Sequence, residues 1–357
     1  MSNIKCELFC HSNSQHIELL YTGFRLLEQQ RKIDLSYNIS KNQLPDFPHF
    51  SPEQLLVKVN NAKLLIFDEL DFGDIHEDSL HQIDFLFKKS FSARIIGPEL
   101  AYKKVFPLGL GYVIYEKYPS WFSLRRAFLE ESAGAIARSF IQTLLGPCNS
   151  LHPRLYRLHI DNCGIKPDPS LPAGVIFMAR LWDPAKSVPK YRAEKEEVNL
   201  KRVDCIRKLH KEFGSRFMGG LKYDEYALRY FPDCLRPDIR LSAYGDLMRL
   251  TRQYPIGVAT TALHDSIGWK FGEYVAFSRA IVSEKLNFEV PGLEAGKHYL
   301  EFTTTDECIE AVSTLMNDRE LRVQMMNRNY EYYHTHLRPD LLVWNALSIA
   351  LGFGGNT

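Results

Sequence analysis

Short apolar runs, each followed by a segment of helical periodicity, recur along this chain in two successive series, and that alternation limits the fold more than any other feature. The first series opens with the run Ile4–Cys10, which ends in His11-Ser12-Asn13-Ser14, residues suited to a turn and a helix N-cap. Ile17, Leu20, Tyr21, Phe24 and Leu27 then recur at helical spacing. Further strands are predicted at 35–39, at 63–67 before Asp68-Glu69, and at 93–96, and one or two helices within 120–145. Pro167, Pro169 and Pro172 crowd the stretch between Gly164 and Gly174, which marks a linker over 162–173. The second series predicts strands at 174–179, 216–219, 256–260, 280–283 and 299–302. Its helices carry Val203, Ile206, Leu209 and Phe213, then two late stretches capped by Asp306 and Asp318, then an apolar tail over 339–351. Two consecutive α/β units follow, with parallel sheets, crossover helices and ligand sites at the carboxyl ends of the strands.

Length agrees with this division, since 357 residues suit two cores of roughly 150–200 residues each. With 45% apolar and 24% charged residues, the chain needs neither metal nor disulfide to fold. Its 44 basic and 43 acidic side chains leave a net charge of +1 and no global case for nucleic acid. No apolar run reaches membrane-spanning length, and the first residues lack the apolar stretch of an export signal. The seven cysteines (6, 10, 148, 163, 205, 234 and 308) are odd in number and scattered, and read as reduced thiols of a cytoplasmic protein. Cys6 and Cys10 fall within a strand, and no CxxC or HExxH occurs, so no metal site is expected. Arg125-Arg126 is read as a solvated face, with lipid contact as the other reading.

The chemistry concentrates in 256–284, where an apolar strand runs into a turn with Asp265, Ser266 and Gly268, then a helix, then a second apolar strand. A turn entering a helix N-terminus offers free backbone N–H groups and partial positive charge, which suit phosphate. Gly268 permits close backbone approach, Lys270 can neutralise a diphosphate, and ionised Glu273 can only accept, which suits sugar or ribose hydroxyls. Each also has a plainer reading: Glu273 as an exposed helix residue, Arg180 as a strand-end cation, Lys270 as a solvated lysine, Trp269 as a packing residue. Tyr244 and Leu241 are candidates for a nucleobase slot by position.

Asp265, seven intervening residues, Glu273 and the run Tyr274-Val275-Ala276-Phe277-Ser278-Arg279-Ala280-Ile281-Val282 resemble the donor-binding signature of GT-B glycosyltransferases of the retaining group 1 type. Gly268 stands where that family has a glycine after its first acid; Asp265 replaces the usual Glu, and Ser278 a common Gly. Met178-Ala179-Arg180-Leu181-Trp182 is similar to the family's segment whose Arg and Lys bind the donor diphosphate. Arg180 matches the arginine, and Lys186, Lys190 or Arg202 the lysine. The run 306–333 resembles the closing helices, and Phe106-Pro107-Leu108-Gly109-Leu110 an interdomain-facing loop.

The resemblance implies an α/β fold of GT-B architecture: two Rossmann-like domains facing a cleft, with a C-terminal helix crossing back to the first. The divisions would be an acceptor-binding domain over 1–165, a nucleotide-sugar-binding domain over 172–335 and the returning helix over 336–357. It implies a donor site of Arg180, Lys186, Tyr244, Asp265, Ile267, Gly268, Trp269, Lys270 and Glu273, no metal, and no cofactor beyond the nucleotide-sugar substrate. It also implies a glycan or glycoconjugate acceptor, with surface polysaccharide or glycoconjugate synthesis as the setting and the inner face of a membrane as a further location. For an inverting reaction, His11, Asp68 and Asp71 are candidate bases. A nucleotide-sugar epimerase and a non-catalytic sugar-nucleotide-binding protein of the same fold are the rival readings.

Overall fold

Eleven strands sort into two sheets, each with its own core, in a computed structural model that describes residues 4–40, 50–75, 80–118, 120–145, 157–242 and 244–353. The chain divides into two compact units: Met1–Cys163 with Phe288–Gly292 and His334–Thr357, and Gly164–Asn287 with Leu293–Tyr333.

In the first unit, β1 (Ile4–Cys10), β2 (Ile33–Ile39), β3 (Gln54–Val59), β4 (Lys63–Asp68), β5 (Phe85–Lys88) and β6 (Val105–Pro107) form a sheet of order β2-β1-β3-β4-β5-β6. The expected all-parallel pairing holds for β1 with β2 and for β4 with β5 and β6. It fails at β3, which runs antiparallel to both β1 and β4. Only Asn60-Asn61-Ala62 separates β3 from β4, and both asparagines adopt positive φ, so the connection is a hairpin too short for a crossover. The strand expected at 93–96 is a single helical turn, Ala93–Ile96, and the sheet positions near it belong to the more apolar Phe85–Lys88 and to Val105–Pro107. Gly97, at φ 84°, ends that turn.

The helix Glu18–Gln29 buries Leu19, Leu20, Phe24 and Leu27, matching the expected period. The last helix, Pro339–Leu351, returns to this unit and packs on it. Gln30 Nε2 donates to Asp340 Oδ2 at 2.7 Å, and Lys63 Nζ to the Ala350 carbonyl at 2.5 Å. Contact is closest at Gly23, where an added methyl would lie 2.3 Å from the Pro339 carbonyl oxygen and 2.6 Å from Val343 Cγ2. Alanine is the better helix former, yet overpacking outweighs propensity here. Gly23→Ala should therefore destabilise the protein by about 2 kcal/mol, measured by denaturant melts; a stabilised variant would show that the two helices part easily.

In the second unit, β7 (Val175–Ala179), β8 (Phe217–Leu221), β9 (Ile256–Ala259), β10 (Ala280–Glu284) and β11 (Tyr299–Phe302) pair in parallel in the order β11-β10-β9-β7-β8. All five residues of β7 are buried, and Val175, Phe177, Val258, Val282 and Phe302 join one core with Val203, Leu209 and Val312 of the covering helices. The chain moves from β7 to β8 on one side and to β9 on the other, so the order reverses between β7 and β9, where such sheets open a crevice. The strand expected at 216–219 lies at Phe217–Leu221. Asp318 caps its helix, accepting from Leu321 N at 2.9 Å. Asp306 does not: Thr304 and Glu307 form a capping box, and Asp306 pairs with Lys208 at 2.7 Å. Among the described residues no helix is long and apolar enough to cross a membrane.

Candidate functional site

The carboxyl ends of β7, β8, β9 and β10 gather the polar residues of the second unit. Arg180 directly follows β7 and is exposed, with its guanidinium 5.4 Å from the centre of the Trp182 ring. Its backbone is clamped from the helix Arg192–Phe213. Arg202 Nη1 donates to the Arg180 carbonyl at 2.8 Å, and Asn199 bonds both the N–H and the carbonyl of Trp182 at 3.0 and 2.7 Å. Arg202 also donates to Thr260 Oγ1 and the Thr261 carbonyl, so its buried guanidinium ties the end of β7 to the end of β9. That use removes it from the cations open to a diphosphate. Lys186 ends the turn Pro184–Lys186 with 71% of its side chain exposed, 3.6 Å from both Asp183 and Glu225. At that exposure these pairs hold it only weakly.

After β9 the chain turns through Leu263–Asp265 with His264 at φ 61° and Asp265 at φ 57°. His and Asp are among the few types that take this left-handed geometry at modest cost. His264 N donates to Glu194, which pins the turn to the neighbouring helix. Asp265 is exposed and lines a hollow of about 70 Å³ with Glu194, Glu197, Lys201, Thr260 and Glu284. Glu284 ends β10 and is already engaged, accepting from Thr261 N at 3.0 Å, from Thr261 Oγ1 at 2.9 Å and from Lys201. Ile267 is buried, and Gly268 forms the N-cap of the helix Trp269–Ala276 with no side-chain cap bond. Gly268 has an ordinary φ of −71°, and the nearest atom to an added methyl is the Thr260 carbonyl oxygen at 3.7 Å, so the fold itself does not demand glycine.

Glu273, on the second turn of that helix, is 2% exposed. Tyr244 donates its hydroxyl to Oε1 at 3.0 Å, and Lys270 pairs with Oε2 from one turn earlier. Tyr244, Lys270 and Glu273 are thus brought together, while Asp265 turns into the acidic hollow. Two donors leave acceptor capacity on a carboxylate, so Glu273 can still receive hydroxyls. Trp269 opens the helix half-buried.

In the first unit, His11 Nε2 lies 3.0 Å from the Ser51 carbonyl, and burial holds the ring below the usual imidazole range, so it is neutral at pH 7. Asp68 is buried and accepts from Lys88 at 3.2 Å, Gln54 at 3.1 Å and Leu70 N at 2.8 Å. Asp71 accepts from Lys89 at 2.9 Å. Cys6 and Cys10 are buried in β1, and burial pushes both thiols up to about 12, so neither presents a thiolate. Sequence reasoning missed Glu284 and Arg236. Of these only Glu284, an acid closing an apolar strand, left a trace in the pattern.

No family model and no curated protein matches the chain. Among solved structures it is similar to HepE from Anabaena in complex with UDP and glucose, with 11% identity over 98% of this chain and 100% of that one, at a TM-score of 0.39. The likeness is one of fold. The C-terminal domain of LpcC, a glycosyl transferase group 1 family protein from Francisella tularensis, gives 11% identity over 46% of this chain and 87% of that one, at 0.32. The pneumococcal O-GlcNAc transferase GtfA in complex with UDP and GlcNAc gives 15% over 53% of this chain and 38% of that one, at 0.34. Values this low carry neither an activity nor a site residue over to this chain.

Proposed function

We propose that the protein is a glycosyltransferase that moves a sugar from a nucleotide-diphosphate sugar to a hydroxyl of a glycan or glycoconjugate, with the donor held by the unit of β7–β11. The observation that carries this reading is Glu273: a buried carboxylate with spare acceptor capacity, beside a helix N-terminus that has no side-chain cap bond among the described residues and the crevice between β7 and β9. Glu273 receives hydroxyls of the ribose or sugar. Arg180 and the first N–H groups of the helix Trp269–Ala276 face the diphosphate, and Lys186 adds a weakly committed cation. Lys270 reaches phosphate only by loosening its pair with Glu273. Asp265 and its hollow receive sugar hydroxyls. The acceptor oxygen bonds to the anomeric carbon as the carbon–oxygen bond to the diphosphate breaks. The hydroxyl proton passes to a base or to the departing diphosphate, whose growing charge the fixed cations and amides stabilise without a divalent ion.

Thermal melts with the diphosphates of uridine, guanosine, adenosine, thymidine and cytidine test the donor half of this reading. A ligand at a hundred times its Kd should stabilise the folded protein by about 2.7 kcal/mol. No shift with any of them at millimolar levels would count against a nucleotide-sugar enzyme. With the binding nucleotide's sugars as donors, transfer should persist in excess chelator and fall at least about tenfold in Arg180→Ala. Donor turnover without any acceptor would favour the epimerase.

A further inference from the structure

Buried arginines in the unit of β7–β11 are mostly spent on oxygens of the chain. Arg202 has three such acceptors, at 2.8 to 3.1 Å. Arg279 bonds the carbonyls of Phe277 and Arg252 at 2.7 and 3.2 Å, and Arg322 those of Leu315 and Met316 at 2.5 and 3.1 Å. Arg236 is different. It is 6% exposed; among the described residues its guanidinium has one acceptor, the Leu241 carbonyl at 2.8 Å, and its buried Nε has none. No carboxylate pairs with it among the described residues. Leaving a buried charged donor unsatisfied is costly, and an acceptor oxygen from a ligand would complete it.

Its place in the fold narrows what that ligand group is. Arg236 N donates to the Leu221 carbonyl at 3.1 Å, and Tyr223 donates its hydroxyl to the Arg236 carbonyl at 2.8 Å, which fixes the residue at the carboxyl end of β8. Gly220, at φ 135°, lets this segment approach; a methyl there would lie 2.7 Å from Arg236 N. The cations and amides suited to phosphate sit at β7 and β9, whereas β8 is the edge strand beyond β7. Leu241, whose carbonyl Arg236 holds, lies three residues before Tyr244, the partner of Glu273. A nucleotide with its diphosphate at β7 and β9 and a hydroxyl on Glu273 would thus direct its base toward Leu241 and Arg236.

We propose that Arg236 reads the donor's nucleobase and selects one with keto oxygens (uracil, thymine or guanine) over adenine; this rests on the donor reading above. Arginine only donates. Guanine offers O6 and N7 as acceptors and thymine O4, whereas adenine sets an amino donor beside N7.

Calorimetric Kd values of the full chain for UDP, dTDP, GDP and ADP, in the native protein and in Arg236→Met, test this at constant diphosphate. At least one keto nucleotide should bind at least about tenfold tighter than ADP, and Arg236→Met should bring that ratio near one by weakening the keto nucleotide alone. Arg236→Lys keeps the charge but loses the Nε–H, should also lose most of the discrimination, and serves if the methionine variant does not fold. Equal native affinities for ADP and the keto nucleotides, or an unchanged ratio in the variants, would overturn the assignment. So would an equal loss for all four, which would make Arg236 a phosphate ligand or a structural clamp. Failure of all four to bind the native protein would remove the donor reading itself.

Discussion

Glu273→Ala should lower transfer ten- to a hundredfold, a loss of roughly 1.4–2.7 kcal/mol of transition-state binding, and should weaken nucleotide binding in parallel. The carboxylate is buried, and the hydroxyl it receives would lose a charged acceptor in a place that water reaches poorly. The variant also strips Tyr244 and Lys270 of their shared partner, which confounds function with local packing. Glu273→Gln separates the two. It keeps the shape and an oxygen for the Tyr244 hydroxyl, and removes the charge. A near-native melting temperature with a tenfold weaker nucleotide Kd would place the loss in ligand contact. Full transfer activity in both variants would remove Glu273 from the site.

Glu69→Gln should stabilise the protein above neutral pH and change little in acid. Glu69 is 1% exposed, and among the described residues neither carboxyl oxygen has a hydrogen-bond partner. It lies beside Gly111, where an added methyl would sit 2.7 Å from Glu69 Oε2 and 3.3 Å from Lys89 Cδ. Burial raises its pKa from 4.5 to about 7; Lys89 opposes the rise, and Asp68, Asp71 and Glu53 add to it. The folded state therefore keeps a proton that the unfolded chain releases above the lower value. Stability falls as pH rises between about 4.5 and 7 and is level beyond, at a total cost of at most about 3 kcal/mol. Glutamine mimics the protonated form and escapes that cost. Denaturant melts of both proteins at pH 4 and pH 8 measure it; a difference independent of pH would show that Glu69 holds no extra proton in the fold.

The segments whose own residues settle their conformation were legible in the sequence. The apolar runs of β1, β7, β9 and β10, the period of Glu18–Gln29 and the cap at Asp318 are local patterns, and each appears in the structure at or near its expected place. The return of Pro339–Leu351 to the first unit followed from the family resemblance. Less was legible where a short-range signal has several solutions. The residues 93–96, expected as a strand, form a single helical turn, and Asp306 lost the cap to Thr304, two residues earlier, because Glu307 closes a reciprocal box there.

Residue types by themselves determined that this chain builds two α/β units with polar residues waiting at strand ends, because hydrophobic period and turn chemistry act over a few neighbours. Only the tertiary structure decided which charges are already spent. Lys270 lies on Glu273, Arg202 bridges two strand ends, Lys88 pairs with Asp68, and Arg236 is short of acceptors among the described residues. Apart from the one-turn pair of Lys270 with Glu273, the partners in these contacts stand from 5 to 59 residues apart in the chain. A charge becomes available or committed only when folding sets its partner beside it and removes the water between them.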